Sequence, residues 1–129
     1  MRIDVEAEDR LAELESLAEW LADVDELRGK VQAVESAPPT GTLGPLLDAL
    51  EVALGPGGAA AAVAASVIAW LRSRAGRITV TLERPDGTKV SVDAVRVRGL
   101  RPDDVRAEVE GLLKAIEPPD EVPGDRQRR

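Results

Sequence analysis

The sequence predicts an α+β domain in which a four-stranded mixed sheet is covered on one face by helices, in the order β-α-β-α-α-β-β-α. Three observations carry the prediction. Ile78, Val80 and Leu82 alternate with Thr79, Thr81 and Glu83, the period of a half-buried strand. Leu11, Leu14, Leu17, Ala18, Leu21 and Val24 recur every three or four residues, the period of one helix face. Strand and helix patterns follow each other without any internal repeat, so 129 residues describe one core. The domain is expected over residues 1–117, with 118–129 as a disordered tail lacking any apolar period.

Each element has its own warrant. Ile3, Val5 and Ala7 alternate with Arg2, Asp4, Glu6 and Glu8, a strand whose charged outer face discourages edge pairing. Asp9 is placed to cap the first helix, Trp20 borders its apolar stripe, and Gly29 suits a left-handed stop. Val31 to Glu35 reads as a second strand, parallel to the first by a right-handed crossover if the two are neighbours. A Pro- and Gly-rich break from Ser36 to Thr42 turns the chain. Leu43, Leu46, Leu47, Leu50 and Leu54 then give a second helical stripe, with Pro45 in its first turn and GlyProGlyGly, 55–58, as its stop.

The helix expected over Ala59 to Arg74 places Val63, Val67, Trp70 and Leu71 on a core face, with Ala60 and Ala64 between them. Its other side, Ala62, Ala65, Ser66, Ala69 and Ser73, is small rather than charged. After the strand at 77–84, ProAspGlyThr (85–88) forms a hairpin turn with Gly87 free to take positive φ. The return strand carries Val90, Val92 and Ala94, and the shift of parity to Val95 and Val97 suggests a bulge near Asp93. Val105, Val109, Leu112, Leu113 and Ile116 form the stripe of a last helix, opened by Pro102, Asp103 and Asp104.

Composition narrows the chemistry. Zero Cys and zero His remove thiol nucleophiles, disulfides, the usual zinc ligands and the usual neutral-pH proton shuttle; carboxylates, Ser, Thr, Lys and Arg leave acid/base work or hard-cation binding open but unsupported by any motif, and no cofactor is expected. A net charge of -7 and two Trp without Phe or Tyr oppose binding to phosphate backbones and stacking on bases, so no nucleic acid is expected. The amino-terminal residues alternate in polarity, unlike a signal peptide, which points by default to the cytoplasm.

Three features admit sharper readings. Asp23, Asp25 and Glu26 crowd carboxylates as a cation site does, but without the turn glycine and distal Glu of a calcium loop they fit a solvated helix end better. Gly55, Pro56, Gly57 and Gly58 precede a helix as phosphate loops do, yet Pro56 lacks an amide and no LysSer or LysThr follows. The window from Val52 to Leu71 is uncharged, but split at its glycines it leaves a helix of roughly 24 Å, short of the ~30 Å hydrocarbon core.

The segments LeuAlaGluTrpLeuAlaAspValAspGluLeuArgGlyLysVal (17–31), GlyThrLeuGlyProLeuLeuAspAlaLeuGluValAlaLeuGlyProGlyGlyAla (41–59), AlaTrpLeuArgSerArg (69–74) and the ArgProAspGly hairpin occur in one order. In that order the chain resembles the effector-associated constant component family of actinobacterial, nucleotide-dependent conflict systems. The resemblance implies a non-enzymatic adaptor in bacterial defence, working through protein-protein contact with peptidase-type effectors or regulatory ATPases, or through self-association. The expected contact surface is Trp20, Ala62, Ala65, Ser66, Ala69, Trp70 and Ser73, where small residues let another backbone come close. Two other classes stand beside it: membrane association through a helical pair over 43–71, and a small carboxylate-based or cation-dependent enzyme using Asp23, Asp25 and Glu26.

Overall fold

The computed structural model describes residues 1–36, 46–55 and 58–117, with Leu46 as backbone only. Among these residues the chain forms β1 (Arg2–Glu6), α1 (Arg10–Ala22), a short 3-10 turn (Asp25–Leu27), β2 (Val31–Ser36), β3 (Leu46–Val52), α2 (Ala59–Ser73), β4 (Thr79–Glu83), β5 (Lys89–Asp93), α3 (Ala94–Arg98) and α4 (Pro102–Ile116). The α+β class holds, but the sheet has five strands rather than four, ordered β2-β3-β1-β4-β5, and every pairing is antiparallel. The expected mixed sheet is thereby corrected, and β1 and β2 are not neighbours, so the parallel pairing expected for neighbours does not arise. β3 lies between them, paired antiparallel to β2 on one side and to β1 on the other.

The largest correction concerns Leu46 to Val52, read as a helix and folded as β3. Leu and Ala favour helix intrinsically, and their spacing fits either period over so short a run; two flanking strands decide the matter by pairing. Leu50 and Val52 point into the core in strand alternation, and a register shift at Val34/Glu35 opposite Asp48 changes the parity, so that Leu47 also packs on the core. The helical pair over 43–71 is therefore a strand followed by a helix. Leu43, Pro45, Pro56, Gly57, most of the Ser36–Thr42 break and the 118–129 tail lie outside the described residues.

A second correction falls after β5. Asp93 ends the strand and accepts a 2.9 Å hydrogen bond from the Val95 amide, starting α3 instead of a bulge. Ala94 and Val97, three apart, are buried while Val95 is 51% exposed, a helical pattern within β-branched sequence. The Asp9 carboxylate accepts from the Ala12 amide at 3.4 Å as expected, and Gly87 holds a φ of +92° in its turn, but α1 already ends at Ala22 with Asp23 as its cap, so Gly29, at a φ of +77°, follows the 3-10 turn instead of stopping the helix.

The core lies between one sheet face and the helices. Ile3, Val5, Val80, Leu82, Leu50 and Val92 meet Leu14, Leu17, Leu21, Val63, Val67 and Ile68, each fully or almost fully buried and stabilising by about 1.5–3 kcal/mol. The opposite sheet face is polar. There Arg10 bridges the Asp4 carboxylate at 2.6 Å and the Asp48 carbonyl, while Arg2 pairs with Asp48 at 2.9 Å.

Candidate interaction surface

In the helical layer α2 lies between α1 on one side and α3 with α4 on the other. Ala59, Ala60, Val63, Ala64, Val67, Ile68, Trp70 and Leu71 are buried, so the helix is enclosed for most of its circumference. A strip remains open: Ala65, Ala69 and Ser73 are exposed, while Ala62 and Ser66 are half-buried. No charged side chain lies on these five positions.

Trp70 does not belong to that strip. Its side chain is 1% exposed, its indole N–H donates to the Ser16 hydroxyl at 3.2 Å, and the Arg74 guanidinium stacks 5.4 Å from its ring centroid. Arg74 in turn sits 2.8 Å from Glu13 across the α1–α2 crossing. Trp70 is thus a core residue that locks the two helices together, which agrees with its place on the expected core face and corrects its inclusion in the expected contact surface. The adjacent positions 69 and 70 are separated by about 100° around the helix, enough to divide surface from core.

Trp20 behaves oppositely. It is 40% exposed, and its indole N–H donates to the Ser66 carbonyl at 3.1 Å, which lays the ring beside the open strip of α2. Trp20, Val24, Ala65 and Ala69, with Asp23 and Ser66 at the polar margin, line a shallow groove of about 490 Å³. The sequence brings Trp20 to the edge of its helix; only the α1–α2 packing joins it to Ala65 and Ala69. The missed element of the surface is Val24, which its place in the stripe hid as one more core position.

Other candidate sites offer less chemistry. A cavity of about 530 Å³ at the end of β1 and β3 includes Lys30, Glu51, Arg84 and Asp86. Arg84 pairs with Asp86 at 2.7 Å and the Met1 amine with Glu51 at 2.8 Å, so both carboxylates of the cavity are matched by a cation. Asp23 ends α1 and Asp25 pairs with Arg28 at 2.7 Å. Among the described residues no cluster of three acidic, His or Cys side chains has the spacing of a metal site, and no helix is long and apolar enough to cross a membrane.

The Asp86 carboxylate is held below its ordinary pKa, chiefly by the Thr88 backbone N–H and then by the Thr88 hydroxyl, with Arg84 adding to the effect. The Arg96 guanidinium is raised above its ordinary value by its paired hydrogen bonds to Glu108, which tie α3 to α4. Both shifts belong to structural contacts away from the groove.

No curated protein and no solved structure matches the chain. A family model, Effector Associated Constant Component 1, matches residues 6–113, from the last residue of β1 to the final turn of α4. The match covers α1, α2, the β2–β3 and β4–β5 strand pairs and the Trp20 groove, and on that extent the chain belongs to the Effector Associated Constant Component 1 family.

Proposed function

We propose that this protein is a non-enzymatic adaptor that acts in an actinobacterial, nucleotide-dependent defence system by binding a peptidase-type effector or a regulatory ATPase. Family membership over residues 6–113 supports a role beside effectors. The observation that carries the contact site is the uncharged strip of Ala65, Ala69 and Ser73 beside the exposed ring of Trp20, in a chain that is 32% charged. A flat small-residue strip next to an amphipathic indole suits a partner helix laid into the groove. In this reading the Asp23 backbone ends α1, the Asp25 carboxylate pairs with Arg28, and no catalytic role is assigned to either.

Co-purification with the products of neighbouring genes tests the proposal. The expected result is a stable complex that Ala65→Arg and Ala69→Arg abolish while Val95→Arg, on an exposed site elsewhere, leaves it intact. Failure of every neighbouring product to bind, or equal binding by all variants, overturns it. Self-association is the competing outcome and is read by light scattering across concentration.

A further inference from the structure

A second surface lies on the far side of α1, at one of the two edges of the sheet. Strand β2 is the terminal strand, and among the described residues nothing pairs with its outer side. The backbone phase along it is fixed by β3. The Val52 amide donates to Met1 and the Ala53 amide to Lys30, so Ala53 faces β2 and Val52 faces β1. By the alternation of antiparallel ladders, Lys30, Gln32 and Val34 direct their hydrogen-bonding groups to β3, while Val31 and Ala33 direct theirs outward.

The side chains of Val31 and Ala33 point toward the helical layer. With Ala18 and Ala22 of α1 they line a shallow groove of about 490 Å³, flanked by the exposed carboxylates of Glu15 and Glu19. Free backbone donors and acceptors, an alanine-floored groove and a pair of carboxylates thus lie along a single edge. The spacing also fits: residues four apart on a helix lie ~5–6 Å apart at Cβ, and alternate residues of a strand lie ~6.7 Å apart.

We propose that the β2 edge binds an extended segment of a partner protein that carries Lys or Arg at alternate positions. The segment adds a sixth strand by pairing with Val31 and Ala33. Its basic side chains lay their aliphatic stems across Ala18 and Ala22 and bring their charged ends to Glu15 and Glu19. A second copy of this chain is the wrong occupant. Its own β2 edge supplies Val31, Ala33 and Glu35 rather than alternating cations, and pairing two copies brings four like-charged carboxylates together on chains of net charge -7. The inference stands on β2 and α1 and is independent of the α2 strip, so either contact can fail alone.

The test uses the full chain and a blocked octapeptide of alternating Lys and Val, with alternating Glu and Val as its counterpart. Expected are binding of the Lys peptide at least tenfold tighter than the Glu peptide, and slowed amide exchange at Val31 and Ala33. Ala33→Pro, which removes only an outward N–H on an edge strand, weakens binding about tenfold with the far-UV spectrum retained. Glu15→Lys combined with Glu19→Lys reverses the preference between peptides. No Lys-peptide binding up to about 1 mM, equal binding of both peptides, protection at Ala65 and Ala69 instead, or edge protection that follows protein concentration without peptide each overturns the proposal.

Discussion

Trp70 and Ala69 are neighbours in sequence with opposite surroundings, and replacing each in turn measures how sharply α2 divides core from surface. Trp70→Ala removes an indole that is 1% exposed, its hydrogen bond to Ser16 and the ring under Arg74. Truncating a buried aromatic to Ala costs about 3–5 kcal/mol. At this chain length ~1 kcal/mol corresponds to about 3–5 °C in Tm, so the midpoint should fall by roughly 10–20 °C. Ala69→Arg adds a long charged side chain one residue earlier, on the open strip, and should change stability by no more than about 0.5 kcal/mol. Urea unfolding followed by far-UV circular dichroism reads both variants without relying on the fluorophore that one of them lacks. A loss below about 1 kcal/mol for Trp70→Ala removes the α1–α2 lock from the account. A loss above about 1 kcal/mol for Ala69→Arg means that the strip is closed by the chain itself, which sinks the contact proposed for it.

The two Trp residues should also separate spectroscopically: Trp20→Phe leaves a blue-shifted, poorly quenched emission from Trp70, whereas Trp70→Phe leaves a red-shifted emission readily quenched by acrylamide. Asp93→Ala removes the side chain that accepts from the Val95 amide and should cost about 1 kcal/mol in urea unfolding. An unchanged midpoint would show that α3 is held by Ala94 and Val97 alone. The depressed Asp86 pKa makes its carboxylate favour the folded hairpin above the ordinary Asp value of about 3.9 and lose that contribution as pH falls through the lower folded value. Carbon-detected NMR should therefore place the Asp86 midpoint below that of a model peptide, and Thr88→Ala should move it back toward the ordinary value, while a midpoint at the ordinary value contradicts the geometry.

The elements that the sequence marked best are those whose pattern has a single solution. The stripe of Leu14, Leu17 and Leu21 cannot be buried by a strand, and Val80 and Leu82 cannot both be buried by a helix. The turn at Pro85 to Thr88 carries its own dihedral requirement in Gly87, so it too was readable locally. Leu46 to Val52 and Ala94 to Arg98 had two solutions each. The first was drawn into the sheet by β1 and β2, and the second was wound into a helix by the Asp93 cap and the need to bury Ala94 with Val97.

The same division holds for the candidate surface. The sequence by itself determined that α2 has a core face and a small face, that catalysis lacks Cys and His, and that the chain is acidic. Only the tertiary structure decided that Trp70, on that core face, bonds to Ser16 and leaves the contact surface, while Trp20 stays at the surface against Ser66. It also decided that β2 and β5 rather than β1 are the terminal strands of the sheet, because strand order depends on which distant segments pair and local periodicity carries no record of that choice.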